Sequence, residues 1–115
     1  MAKHGRKPSV NEVRLAIRLL LSDGQPQIDA VASELDVSVR SLQRRLAATG
    51  TSHSEMVRQV RQTKAIELLT SSSLSISQIA IATGFANPSG FSRAFQSWTG
   101  MSPSEYRYWS EFGAK

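Results

Sequence analysis

The stretch that decides the fold is residues 76–107, ISQIAIATGFANPSGFSRAFQSWTGMSPSEYR. Apolar residues recur there at steps of three and four on both sides of a Gly-Phe pair, which predicts two amphipathic helices joined by a turn at Gly84. Glycine suits that turn because it adopts a left-handed backbone without steric cost. Asn87 can cap the second helix, and Pro88 can occupy its first turn. The apolar positions are Ile76, Ile79, Ala80, Phe85, Phe91, Phe95 and Trp98.

The second of these helices leaves Ser89 and Arg93 on its outward face, with aromatic residues at its back. A tight turn followed by a helix that displays small polar residues and an Arg is typical of a helix-turn-helix, whose second helix enters the DNA major groove. We therefore expect Ser89 and Arg93 to contact bases. Pro88 and Gly90 carry no polar side chain, so the alternative is that this helix mainly holds phosphate, through Arg93 and its first backbone N–H groups.

A second copy of this pattern lies upstream, in residues 28–50, IDAVASELDVSVRSLQRRLAATG. Apolar positions match apolar positions, Asp36 stands at the turn, and an outward Arg recurs. Such an internal repeat is weighty evidence for two equivalent units. The aligned pairs are Val31 with Ile79, Ala32 with Ala80, Val37 with Phe85, Ser38 with Asn87, Leu42 with Phe91, Arg44 with Arg93 and Leu46 with Phe95.

The first unit offers the richer set of base-contacting side chains. Arg40, Gln43 and Arg44 are spaced at i, i+3 and i+4, so they share one helix face. Arg can pair with guanine and Gln with adenine through two hydrogen bonds each. Arg45 lies off this face and is expected to contact either phosphate or an acidic side chain. The full set of predicted phosphate contacts is Ser38, Arg45, Arg58, Lys64, Ser75 and Asn87.

The remaining segments complete an all-α, homeodomain-like fold of about seven helices, with two helix-turn-helix subdomains joined by a long central helix. We predict a flexible basic arm at 1–9, a first subdomain at 10–50, a linker helix at 51–73 and a second subdomain at 74–115. The arm is expected either to contact phosphates or to be disordered without a role in binding. A first helix is expected from about Asn11 to Leu21, with Ser9 or Asn11 as its cap and Asp23 and Gly24 at its end.

The linker helix is expected from about Ser52 to Thr70, with Ser52 and Glu55 as a capping box. A helix of this length spans about 28 Å, close to the ~34 Å between successive major-groove faces. It would therefore let one monomer place two recognition helices in adjacent grooves. Its cations, spaced by three, form either a phosphate-contacting face or a solvated face with Arg61 or Lys64 paired to Glu67; they are Arg58, Arg61 and Lys64.

Aromatic residues gather at the end of the chain, after a predicted cap and first-turn proline at Ser102 and Pro103. They are Tyr106, Tyr108, Trp109 and Phe112. One interpretation is that some of them cover the core of the second unit, with Tyr or Trp left at the surface. The other is that they stack on single-stranded nucleic acid or RNA.

Composition narrows the function classes further. The chain of 115 residues carries 14 Lys and Arg against 9 Asp and Glu, which gives a net charge of +5 and favours a polyanionic partner. It has no Cys, and His4 and His53 stand alone, so no metal site or cofactor is expected. No apolar run approaches the ~20 residues of a membrane span, and no secretory signal is evident, so we expect a soluble, cytoplasmic protein.

The signature residues of the second unit resemble those of the AraC/XylS family of transcription regulators. They are Gly84-Phe85, Phe91-Ser92-Arg93-Ala94-Phe95, Gly100, Ser102-Pro103 and Tyr106-Arg107, and the resemblance covers roughly residues 20–110. It implies sequence-specific binding of double-stranded DNA, base contacts from the first recognition helix, and activation by contact with RNA polymerase. Gly90 and Gln96 depart from the family's usual larger and basic residues, which weakens base reading by the second unit.

The resemblance also implies how the chain relates to longer proteins. Most family members carry a separate effector-binding or dimerising domain, so the chain is either a stand-alone regulator or, as we favour, the C-terminal domain of a longer one, with no small-molecule effector site of its own. Two other classes remain as alternatives. One is a helical protein-interaction or RNA-binding module, and the other is an enzyme, for which we find no paired carboxylates or Ser-His-Asp arrangement.

Overall fold

A computed structural model of the chain describes residues 7–21, 24 and 26–113. The described residues form seven α-helices and no strand, so the predicted all-α fold is confirmed. In chain order the helices are α1 (Val10–Leu20), α2 (Ile28–Glu34), α3 (Val39–Ala48), α4 (His53–Ser71), α5 (Ile76–Ala82), α6 (Pro88–Thr99) and α7 (Pro103–Tyr108), and a π-helical turn (Trp109–Gly113) follows α7.

Most helices begin at a side chain that satisfies a free backbone N–H, as the sequence predicts. Ser38 accepts from the amide of Ser41 at 3.0 Å, and Asn87 accepts from that of Gly90 at 2.8 Å. Three other starts are closed capping boxes, in which a Ser and the side chain three residues later each accept from the other's amide. These boxes are Ser9 with Glu12, Ser75 with Gln78, and Ser102 with Glu105.

The chain divides into two compact units, and the division falls inside α4, after Val60. The predicted domain scheme instead gave this helix a segment of its own at 51–73. The difference arises because each half of α4 contributes to a separate core. The first core contains Val13, Ile17, Leu21, Val31, Leu42, Leu46, Met56, Val57 and Val60, and the second contains Ala65, Leu69, Ile79, Ala80, Phe91 and Phe95.

The two helix-turn-helix turns have the same backbone structure. Asp36 has a φ of 60° and Gly84 a φ of 86°, so both residues are left-handed. The next amide bonds back to the preceding helix in each case, from Val37 to the carbonyl of Ala32 at 3.0 Å and from Phe85 to that of Ala80 at 2.9 Å. The predicted repeat is therefore present in the backbone and not only in the residue pattern.

The second core is held together by a chain of aromatic rings. Phe91 and Phe95 are fully buried, and their ring centroids are 5.8 Å apart. Tyr106 meets Phe95 edge-on at 5.3 Å, so α7 closes this core as one of the two interpretations of the aromatic tail expects. Tyr108 and Trp109 are 55% and 52% exposed, so they lie at the surface, as the same interpretation expects for Tyr or Trp.

The start of the chain differs from its predicted boundaries. Residues 1–6 of the predicted arm, and Asp23 at the predicted end of the first helix, lie outside the described residues. Ser9, one of the two predicted caps, is the residue that caps α1, so this helix begins at Val10, one residue before the predicted start near Asn11. Its hydroxyl accepts from the Glu12 amide at 3.1 Å, which ties it to the first unit.

The start of α4 shows a half-made capping box. Ser52 accepts from the amide of Glu55 at 3.2 Å, as predicted. The Glu55 carboxylate, however, accepts from Arg58 and Gln59 rather than from the Ser52 amide. Arg58 and Gln59, three and four residues after Glu55, thus occupy the carboxylate that the Ser52 amide would bond to in a complete capping box.

Two glycine substitutions should have opposite effects on stability. Gly90 lies in α6 without strain, and an added Cβ would meet Asn87 at 3.5 Å and Phe85 at 3.9 Å, which are ordinary contacts. Gly90→Ala should therefore raise the free energy of unfolding by about 0.4–1 kcal/mol. Gly84→Ala should lower it by about 1–2 kcal/mol, since φ is positive there. Urea denaturation followed by circular dichroism measures both, and equal effects would contradict the assigned turn.

Candidate nucleic-acid interface

The outward face of α3 carries the three predicted base readers of the first unit. Leu42 and Leu46 are 0% and 1% exposed and fix the opposite face of the helix in the core. Arg40, Gln43 and Arg44 are all exposed. The structure thus brings these three side chains together on a short, capped helix whose back is immobilised by packing.

Arg45 is placed differently from the other cations of α3. Its side chain is half-buried, and its Nε donates to the backbone carbonyl of Pro8 at 2.9 Å. The predicted alternatives for Arg45 were a phosphate or an acidic partner, and in the structure its Nε instead holds the segment before α1. Its role toward phosphate stays a prediction.

The outward face of α6 carries the predicted readers of the second unit. Phe91 and Phe95 are buried at the back, whereas Ser89 and Arg93 are exposed at the front. Gln96 is also exposed, three residues after Arg93, so it lies on the same face. The predicted site left Gln96 out, although its i, i+4, i+7 spacing with Ser89 and Arg93 is a signal that would have included it.

The capping residues at the helix starts differ in whether they keep a hydrogen-bond donor that could bind a phosphate. The Ser38 hydroxyl accepts from the Ser41 amide and donates to the Ser41 hydroxyl at 2.9 Å, so its hydrogen is already used. The Ser75 hydroxyl accepts from the Gln78 amide at 3.1 Å and can still donate. Asn87 uses only its oxygen in the cap, which leaves its side-chain NH2 group able to donate as well.

Two of the three predicted phosphate-contacting cations of α4, Arg58 and Lys64, remain at least partly exposed. Arg58 is exposed and pairs with Glu55 one turn before it. That pairing lowers the pKa of the Glu55 carboxyl and raises the pKa of Arg58. Lys64 is partly buried. A phosphate contact by Arg58 must therefore compete with its ion pair.

Arg61, the third of these cations, is turned into its own unit. Its guanidinium donates to the carbonyls of Thr83 at 3.0 Å and Gly84 at 2.8 Å, and it lies 4.2 Å from the centroid of the Phe85 ring. Burial lowers the pKa of Arg61, which nevertheless stays charged at any ordinary pH. The predicted pairing with Glu67 is thus wrong for Arg61, because the free carbonyls at the end of α5 offer a better-matched acceptor pair.

Arg107 makes a similar contact at the end of α4. It donates to the carbonyls of Leu69 at 3.0 Å, Ser72 at 3.3 Å and Leu68 at 3.4 Å. Leu69 is in the last turn of α4, where carbonyls lack intrahelical partners, and Ser72 follows the helix, whereas the Leu68 carbonyl already accepts from the Ser72 amide at 3.2 Å. Arg107 therefore joins α7 to α4 within the second unit, and its guanidinium faces inward.

His53, set aside from the sequence as a lone residue at a helix start, has a structural contact. Its Nε2 lies 2.9 Å from the carbonyl of Pro26. Because a carbonyl can only accept, Nε2 carries the hydrogen, and Nδ1 is left as a buried acceptor without a partner. The side chain thus links the segment before α2 to the start of α4 inside the first unit.

Residues 7–21, 24 and 26–113 contain neither a metal-binding cluster nor a membrane span. No group of three or more His, Asp or Glu in that part of the chain could hold a metal ion. No helix among the described residues is long and apolar enough to cross a membrane.

Comparison with known proteins finds helix-turn-helix regulators that are similar to this chain. A family described as "Helix-turn-helix domain" matches residues 31–108. The Ornithine utilization regulator of Pseudomonas aeruginosa is 42% identical over 82 residues, which make up 71% of this chain and 24% of that protein. The chain spans about a quarter of the length of the curated relatives it matches.

Solved structures share the fold over nearly the whole chain. A transcriptional regulator of Chromobacterium violaceum, described by its AraC-type DNA-binding domain, has a TM-score of 0.76 at 27% identity and covers 90% of this chain and 92% of that one. The DNA-binding domain of AdpA, solved in complex with a target DNA, has a TM-score of 0.71 at 25% identity and covers 92% and 97%.

Two capped helix-turn-helix units with polar recognition faces define the class as DNA-binding transcription regulators, a class of binding proteins rather than of enzymes. The chain belongs to the AraC/XylS family of that class, as the predicted resemblance states.

The Arg61 contacts should be worth more than any surface ion pair of α4. Arg61→Ala should lower the free energy of unfolding by about 2–3 kcal/mol, because two charge-assisted hydrogen bonds and a ring contact are lost. Arg61→Lys should be intermediate, since an ammonium cannot reproduce the planar fork. Urea denaturation measures the change.

Arg58→Ala is the matched control on the same helix. Its pair with Glu55 is exposed to solvent, so its loss should lower the free energy of unfolding much less than the loss of the Arg61 contacts. Equal losses for Arg61→Ala and Arg58→Ala would show that the Arg61 contacts do not hold the turn.

Proposed function

We propose that the protein binds double-stranded DNA sequence-specifically, with Arg40, Gln43 and Arg44 of α3 contacting base edges in one major-groove segment. The observation that carries the proposal is the face itself. Three side chains able to pair with guanine or adenine stand exposed on one helix whose opposite side is fully buried at Leu42 and Leu46. A helix held in this way presents its polar side chains in a fixed register, which base discrimination requires.

We propose further that α6 of the second unit enters an adjacent major-groove segment. Ser89, Arg93 and Gln96 are its candidate contacts to bases. The presence of a complete second turn and cap, with the same backbone bonds as the first, supports a second recognition helix. The alternative within this function is that α6 anchors phosphate through Arg93 and contributes little base selectivity.

Phosphate contacts would set the orientation of the protein on the duplex. Asn87 and Ser75 are the best-equipped candidates, because each keeps a donor after capping its helix. The other proposed phosphate contacts are Ser38, Arg45, Arg58 and Lys64.

Family membership suggests whether the protein activates or represses transcription. We propose that the DNA-bound protein activates transcription through contact with RNA polymerase. The matched region makes up about a quarter of the length of the relatives, so an effector would act through other parts of such a protein.

Selection of bound duplexes from a random pool tests the base readers. The wild-type chain should enrich two sequence blocks about 10 base pairs apart, one for each unit. Arg44→Ala should relax one position of the first block by about 1–3 kcal/mol, because a two-hydrogen-bond contact to a base is removed. Arg93→Ala should relax the second block if α6 reads bases and leave it unchanged if α6 only anchors.

Arg44→Lys is the matched control for charge. It keeps the cation but loses the planar fork, so the first block should relax while binding to unrelated DNA stays nearly the same. No enrichment by the wild type would contradict specific recognition. A loss of affinity that is uniform over all sequences in Arg44→Ala would reassign Arg44 to phosphate.

Asn87→Asp separates the capping role of Asn87 from its phosphate role. Asp caps a helix as well as Asn, so the free energy of unfolding should change by less than about 0.5 kcal/mol. The carboxylate would repel a phosphate that the amide had held, so affinity should fall alike for every sequence. Thermal denaturation and fluorescence anisotropy with two unrelated duplexes measure these effects, and unchanged affinity would remove Asn87 from the interface.

A further inference from the structure

Arg61 belongs to α4, but its guanidinium lies against the turn that precedes α6. Nε donates to the carbonyl of Thr83 at 3.0 Å, and Nη2 donates to that of Gly84 at 2.8 Å. The guanidinium carbon lies 4.2 Å from the centroid of the Phe85 ring. One planar, charged group therefore contacts three consecutive residues of the turn, among them the left-handed Gly84.

The contact continues from the turn into α6 through the ring of Phe85. Its centroid is 5.6 Å from that of Phe91 and 6.2 Å from that of Trp98, both residues of α6. Phe91 is fully buried on the side of α6 opposite the exposed Ser89 and Arg93. Because a packed interior transmits displacements, a shift of the Phe85 ring would be passed to the helix that carries these two exposed side chains.

The equivalent position of the first unit is apolar. The offset of 48 positions that aligns Val37 with Phe85 also aligns α1 with the second half of α4, and it places Val13 opposite Arg61. Val13 is 0% exposed and belongs to the first core. Apolar packing is non-directional, whereas a guanidinium makes hydrogen bonds only where the acceptors match its fork. The second turn is thus held by directional bonds from a position that in the first unit contributes apolar packing.

We propose that Arg61 is a positioning residue for base reading by the second unit. It fixes the turn and the Phe85 ring, and these fix the register in which α6 presents Ser89, Arg93 and Gln96 to base edges. Binding side chains need such support, because a site that is about 1 Å too loose loses its selectivity. This inference rests on the proposed function, to which it adds a residue that sets the selectivity of α6 without touching DNA.

Competition binding with the full chain tests the proposal. The selected duplex is compared with duplexes in which either the first or the second sequence block is scrambled, and the ratio of dissociation constants gives the selectivity at each block. Arg61→Lys keeps the charge but not the planar fork that bonds two carbonyls at once. Selectivity at the second block should fall by about fivefold, whereas selectivity at the first block, assigned to α3, should stay within about twofold.

Arg107→Lys is the matched control. Arg107 also donates to backbone carbonyls of the second unit, but to those at the end of α4 rather than those of the turn. Both variants should lower the thermal unfolding midpoint, and binding is measured well below it, where each is folded. Only Arg61→Lys should relax the second block. Equal relaxation by the two variants would reject the proposal, since Arg61 would then only stabilise the second unit.

Arg61→Gln separates positioning from contact with phosphate. It removes the charge, so the loss of a phosphate contact would reduce the logarithmic salt dependence of binding by about 0.9. We expect that dependence to stay unchanged, because the guanidinium of Arg61 is bonded to carbonyls. A reduction of this size would overturn the proposal and assign Arg61 to phosphate.

The remaining outcomes are distinguishable. No enriched sequence for the wild type would refute the proposed function, and the inference would fall with it. Enrichment of the first block alone would leave base reading by α3 standing and reject the inference, since α6 would then read no bases. Two enriched blocks whose selectivity is unchanged in both Arg61→Lys and Arg61→Gln would reject the inference alone.

Discussion

A left-handed residue between two helices is the constraint on which each unit depends. It lets the chain reverse so abruptly that the next amide bonds to a carbonyl five residues back, at Ala32 in one unit and at Ala80 in the other. The first unit reaches this backbone with Asp36 and the second with Gly84. Asp tolerates the left-handed region better than most residues, although at a cost that glycine does not bear. α3 and α6 begin a few residues later, so their placement follows from these turns.

The features that the sequence predicts well are those decided by neighbours along the chain. Ser38 and Asn87 cap their helices because the side-chain oxygen of each lies within hydrogen-bond distance of the free backbone amide three residues later. Leu42 and Leu46 turn inward because a spacing of four places both on one face of α3, while the polar residues between them in the sequence lie on its other faces. Since Leu42 and Leu46 occupy the buried face, Arg40, Gln43 and Arg44 must lie on the exposed face. The same reasoning applies to α6 in the second unit.

Features decided by distant contacts escape that reasoning. Arg58, Arg61 and Lys64 have the same spacing, and nothing local shows that Arg61 bonds to two carbonyls 22 and 23 residues away. The boundary inside α4 is hidden for a similar reason. Met56 and Val60 face one core and Ala65 and Leu69 another, so a periodicity computed along the whole helix averages two faces. The sequence does not distinguish the core residue Tyr106 from the exposed Tyr108, because the two side chains are chemically the same. The distinction comes from the contact of Tyr106 with the ring of Phe95.

The inward turn of Arg61 and Arg107 has a consequence for how salt should affect binding. The chain has 14 Lys and Arg, but these two guanidiniums are bonded to backbone carbonyls. A cation in that position does not approach a phosphate, so it does not displace a condensed counterion from the duplex. Since each displaced counterion steepens the logarithmic salt dependence by about 0.9, the steepness counts outward cations only. Two proteins of identical composition could therefore differ in it, according to how many of their arginines hold helix ends together.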